Sequence, residues 1–304
     1  MTRWIGRWSG VAAAFEPRNM PLAVGRSLLA VAELAVVVFN SDSNLFPRIP
    51  ELPAGPRCDG LRGLSLWCVG EQWPILSRIL AAVILLAVAS GYRPRWTCVP
   101  HWYIMFSLSA SMPSPNGGEQ VARVLALLLV PICLGDGRRW HWQRPVRPLP
   151  PAWRGAAYAA SLVMRVQVVV IYVDAALSKL LEPAWRDGTA MRYVINDPFV
   201  GPPDMVRALV ESGEAEGRLL LLLGWGTIVV ELFLACAVLG RARLRASGLL
   251  VGGVLHGTIF VFLGLGSFEL VMISLLIIVT LPGGSLLSQA GTGPRTDQGR
   301  SDTD

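Results

Sequence analysis

The stretch Met164–Gly188, MRVQVVVIYVDAALSKLLEPAWRDG, sets ionisable side chains into a long apolar run. Arg165, Tyr172 and Lys179 recur every seven residues, a spacing that lines them along one face of a helix. Asp174 and Ser178, four apart, share a neighbouring face. Two readings of Lys179 stay open on spacing alone. Its ammonium could snorkel past the end of the apolar run into water. Alternatively it faces the interior of a helix bundle, where an amine can serve as a base. Lys179 is the single lysine among 27 Lys and Arg residues, and arginine cannot be deprotonated. That contrast favours the base.

Other apolar runs carry Arg26 and Glu33, seven apart, then Glu231 and His256. An ionisable group in a bilayer costs at least ~2.5–3.5 kcal/mol, so each is a functional candidate by default. Either these groups make satisfied interhelical hydrogen bonds, or they line a polar cavity together with Lys179. The candidate catalytic set is therefore Lys179, His256, Tyr172 and Glu231. His101, His141 and His256 are scattered without zinc spacing, and no metal is expected.

Cys58 and Cys68 lie in one short loop that the topology below puts outside, where disulfides persist. A bridge there stabilises by roughly 2–3 kcal/mol in the chain-entropy account. Without Cys-x-x-Cys spacing, a structural staple is the stronger expectation over thiol exchange. Cys98, Cys133 and Cys236 lie in or beside apolar runs and read as packing residues.

The elements that must position these groups follow from composition. Of 304 residues, 53% are hydrophobic and 16% charged, with a mean hydropathy of +0.49. Soluble domains run at about 25% charged. This balance excludes intrinsic disorder, a coiled coil and a disulfide-rich miniprotein. The Arg, Gly, Pro and Ala bias suggests a high-GC bacterial genome. The net charge of +6 does not point to nucleic acid, because the arginines fall in short loops between apolar runs, a pattern that orients membrane spans.

A span needs ~20 predominantly apolar residues. Eight candidates are present: Pro21–Asn40, Pro74–Tyr92, Cys98–Met112, Gln120–Leu134, Ala156–Leu181, Leu219–Leu239, Ala246–Leu265 and Phe268–Leu281. The third, fourth and eighth are short, so re-entrant segments stay open for them. With the N-terminus inside, fifteen arginines fall in inside segments and six in outside segments, which agrees with the positive-inside rule. Both termini are expected in the cytoplasm, and the first apolar run is expected to be retained rather than cleaved. Residues 1–20 form a cytoplasmic segment, 21–285 the transmembrane domain and 286–304 a disordered tail. The outside segment Glu182–Gly217 is acidic, either a solvated loop or a docking surface for a basic peptide.

The segment IYVDAALSKLLEPAWRDGTA (Ile171–Ala190) resembles the hallmark of HTTM-domain membrane proteins, the superfamily of vitamin K-dependent gamma-carboxylase. Tyr172, Lys179, Trp185 and Gly188 match its pattern. Glu231, Arg241-Ala242-Arg243, His256 and Leu263–Phe268 resemble the second half of that domain. GRSLLA (Gly25–Ala30), the Cys58 and Cys68 loop, GYRPRW (Gly91–Trp96), HWYI (His101–Ile104), NGGEQV (Asn116–Val121) and GDGRRWHW (Gly135–Trp142) resemble the SdpB branch. The resemblance covers roughly residues 17–285. It implies a lysine base at Lys179, an active-site place for His256 and chemistry at the outer face. It further implies work with an SdpA-like protein on an SdpC-like secreted toxin precursor, and a quinone cofactor only by analogy with the carboxylase. The carboxylase has a Lys-Lys pair where this chain has Ser178-Lys179, and it continues into a large lumenal domain.

The expected fold is an all-α polytopic membrane bundle of about eight transmembrane helices in a bacterial plasma membrane. The expected function is maturation or export of a secreted antimicrobial peptide. Whether the chain is an enzyme stays open. The alternatives are an HTTM-type enzyme with quinone-dependent redox or carboxylation chemistry, and a peptide transporter or immunity protein.

Overall fold

The computed structural model describes residues 15–50, 54–197, 201–211 and 216–280. Regular structure among them is helical, apart from an isolated antiparallel bridge between Tyr92 and Trp140. Each apolar run becomes a helix: α1 (Met20–Phe39), α2 (Pro74–Ala89), α3 (Pro94–Ser111), α4 (Gly117–Cys133), α5 (Pro151–Leu181), α6 (Glu216–Ala237), α7 (Ala242–Leu263) and α8 (Gly266–Thr280). Short helices occupy the connections, among them Pro183–Arg186, Thr189–Asn196 and Asp204–Glu211. Four helices, α1, α5, α6 and α7, are long and apolar enough to cross a membrane, and α2 and α8 are shorter apolar helices. The expected tail 286–304 and most of the segment 1–20 lie outside the described residues.

Local sequence sets the boundaries. The Asn19 side chain accepts from Leu22 N at 2.9 Å and caps α1. Prolines open α1, α2, α3 and α5, where their fixed φ suits a first turn and the missing N–H costs nothing. Pro151 starts α5 five residues ahead of the apolar run that begins at Ala156, giving a helix of 31 residues.

The central element is α8, which touches α1, α4, α5 and α7. It buries Met272, Leu275, Leu276 and Val279 with Glu269, as expected of a helix that is apolar all round. α1 packs against α8 and α2 and buries Leu22, Arg26, Leu29, Glu33 and Val36. It approaches α8 closely at Gly25: a Cβ there would lie 2.4 Å from Ile278 Cγ1, and Ser274 Oγ donates to Gly25 O at 2.7 Å. Small residues at such crossings are characteristic of membrane helix packing. The outward faces are apolar and bare, with Ile75, Leu80, Val170, Leu222, Val229, Leu250 and Val261 all exposed.

The helices alternate in direction. At one end Arg78 of α2 donates to Val37 O (2.7 Å) just before the end of α1, Arg57 N donates to Ser111 O at the end of α3, and Gly118 of α4 abuts Phe268 of α8. Cys58 and Cys68, at this end, are joined by a disulfide. At the other end Trp142 Nε1 donates to Ser90 O (2.8 Å) and Arg18 to Arg147 O (2.6 Å).

Candidate functional site

Tyr172 and Lys179, two turns apart on α5, line a cavity of about 900 Å³ walled by α5, α6, α7, α8 and the short helices between α5 and α6. Glu231 of α6 and His256 of α7 line the same cavity. Lys179 Nζ donates to Glu231 Oε1 at 2.7 Å and weakly to Ala175 O at 3.4 Å. The same ammonium stands 5.2 Å from the centre of the Trp185 ring, within range of a cation–π attraction. Gly188, beyond Trp185, holds φ +86°, and a Cβ there would lie 3.0 Å from the Leu221 backbone of α6, a conformation and a close approach that favour glycine.

A second polar series ends in the same cavity. The Tyr172 hydroxyl lies 2.7 Å from His256 Nε2. The other imidazole nitrogen, Nδ1, meets Glu269 Oε2 in the first turn of α8. An ionised carboxylate facing Nδ1 accepts a hydrogen bond from it in the tautomer that carries the proton there, which leaves Nε2 to accept from the phenol. Glu269 is fully buried. Among the described residues, Glu231 Oε2 and Glu269 Oε1 have no hydrogen-bond partner, so each carboxylate keeps an acceptor oxygen. Sequence reasoning missed Glu269. The signal was an acidic residue opening the last apolar run, directly after Phe268.

The remaining candidates sit elsewhere. Arg165, two turns below Tyr172 on the same face, does not line this cavity. Asp174 and Ser178 are exposed on the outer side of α5. Arg26 turns toward the other end of the bundle. Its Nη2 donates to Thr97 Oγ1 (2.6 Å) and its Nη1 faces His141 Nδ1 at 3.3 Å. Ser27 Oγ donates to Ala89 O (2.6 Å) and lies 3.3 Å from His141 Nε2. His141 packs over Gly91, which takes φ +86° and where a Cβ would come within 2.2 Å of the ring. Arg93 N donates to Arg139 O at 2.8 Å. GRSLLA, GYRPRW and GDGRRWHW thus close into one clasp. Burial, then the Arg26 and Arg138 guanidiniums, push the His141 imidazole down to about 3, so it is neutral at ordinary pH.

These features define a helical protein with membrane-length apolar helices and a polar site enclosed between its later helices. The chain is 32% identical over 277 residues to the sporulation-delaying protein SdpB of Bacillus subtilis, covering 90% of this chain and 84% of that protein. It is 31% identical over 288 residues to the uncharacterised B. subtilis protein YitO, covering 93% and 89%. The chain belongs to the SdpB family. No family model matches it, and no solved structure matches it.

Proposed function

We propose that this chain is an SdpB-like protein of a bacterial plasma membrane, needed for maturation or export of a secreted antimicrobial peptide. Its residues 21–285 form an HTTM-type domain of eight crossings with both termini in the cytoplasm. An SdpA-like protein and an SdpC-like peptide precursor are its partners. The kinship to SdpB supports the biological role. The observation that carries the site is the convergence of Lys179, Glu231, Tyr172 and His256, with Glu269, on one cavity. Here Lys179 holds a proton that can pass from Nζ to Glu231 Oε1, leaving a neutral amine. His256, held by Glu269, accepts a hydrogen bond from the Tyr172 hydroxyl. Both contacts are 2.7 Å long, within reach for acid–base work. Mass spectrometry of secreted peptides with and without the gene tests the role: the mature peptide should disappear with the gene, and its persistence would refute the reading.

A second reading is an HTTM-type membrane enzyme that uses a quinone. It is favoured by the cavity walls, which are largely apolar (Val230, Val251, Ile259, Phe262) and fit a lipid-soluble ring. Tyr172 and Lys179 are the groups that would hold that ring. Bound there, a quinone would supply redox equivalents, while Lys179 would hold or take the proton. A Lys179-dependent quinone signal in purified protein distinguishes this reading from the first.

A further inference from the structure

A second cavity, of about 310 Å³, shares no lining residue with the first. The Cys58–Cys68 loop, the last turns of α3 and the first turns of α4 enclose it. Its walls combine Leu61, Phe106 and Met112 with Arg62, Gln120 and Arg123. Its charges do not balance. Asp59 accepts from Arg57 at 3.0 Å and from Arg62 at 3.3 Å, so one carboxylate serves two guanidiniums. Arg123 makes no ion pair or hydrogen bond among the described residues. Glu119, one turn earlier on α4, is buried and takes Asn116 Nδ2 at 3.1 Å instead. The first N–H groups of α4 are capped by Asn116 Oδ1, so the helix end itself offers no anion site. Beyond Arg123 the outer face of α4 is apolar, with Val124 and Leu127 exposed.

Arg123 is partly exposed to this cavity and has no carboxylate partner among the described residues, so its guanidinium is free to take an anion. Its planar fork matches phosphate oxygens two at a time. We propose that this cavity binds the phosphate of an anionic phospholipid, held by Arg62 and Arg123, with the acyl chains lying along Val124 and Leu127. The disulfide then has a second consequence, since it closes the loop that carries Arg62. The proposal rests on the membrane-spanning reading above, though not on the peptide role. A free phosphate ion offers the same chemistry, but the apolar wall and the bare strip beside it favour a lipid.

The test uses the full chain in uncharged detergent, titrated with phosphatidylglycerol, with phosphatidylcholine and with inorganic phosphate, and read by native mass spectrometry. One phosphatidylglycerol should bind at least about tenfold more tightly than phosphatidylcholine, and Arg123→Gln should remove about that factor. Equal binding of the two lipids by the unaltered protein would overturn the proposal without any variant. So would undiminished phosphatidylglycerol binding by both Arg123→Gln and Arg62→Gln. Displacement of the lipid by comparable concentrations of phosphate would reassign the site to the free ion and overturn the lipid source. None of these readouts involves peptide yield, so failure here leaves the Lys179 site standing. Recovery of the chain in the soluble fraction of cells would instead sink the membrane reading on which this site rests.

Discussion

In the proposed site, Glu269, His256 and Tyr172 form a series of contacts in which each member would orient the next. An ionised Glu269 would favour the His256 tautomer with its N–H on Nδ1, which would leave Nε2 to accept a hydrogen bond from the Tyr172 hydroxyl. Glu269→Gln keeps the shape but offers an amide that can donate as well as accept, so the ring can turn its other tautomer toward Tyr172. Peptide yield should fall by about tenfold or more at unchanged membrane abundance, and unchanged yield would remove Glu269 from the site. The clasp around His141 gives a pH effect of definite sign. Its folded value, about 3, lies below its ordinary value of 6.5, so on acidification the unfolded chain takes up the proton first. The stability contributed by the clasp is complete above about pH 6.5 and is lost progressively toward pH 3. Thermal unfolding in detergent at pH 7.5 and pH 5 should record a fall that His141→Asn reduces. The site was partly legible at this scale, because Tyr172 and Lys179 stand seven apart on one helix. Glu231 and His256 were candidates for a cavity shared with Lys179, but spacing alone did not bring them together, and nothing in the sequence led Arg26 to His141. Their spacing does not choose partners, and only tertiary packing sends Glu231 to Lys179 and Arg26 to His141.

Among the elements, apolar length made the eight apolar helices legible to within about five residues of their ends. What sequence could not give was their neighbours. That the short last run becomes the central helix follows from its being apolar on every side, which a span facing lipid would also be. Helix contacts then hinge on small residues whose importance has no local signature. Gly25→Leu would push a branched side chain into Ile278 and the Ser274 carbonyl. Overpacking of this kind costs about 1–3 kcal/mol, so the variant should unfold at a lower temperature, whereas an unshifted transition would mean that α1 and α8 do not pack as described.

Across the molecule, the arginine distribution together with alternating helices predicts that the Cys58–Cys68 loop and the α5–α6 connection lie outside. A cysteine placed at Glu216 should react with an impermeant reagent on intact cells, and one placed at Arg144 should not. The reverse pattern would invert the topology. The central claim, that the amine of Lys179 and not only its charge is needed, is tested most directly by mature peptide yield in cells carrying Lys179→Arg, with membrane abundance measured in parallel. Arginine can keep the ion pair with Glu231 yet cannot surrender a proton. The account predicts that Lys179→Arg reaches the membrane in normal amount and yields almost no mature peptide, as Lys179→Ala does. Normal yield from Lys179→Arg would contradict it and leave the positive charge as the only requirement.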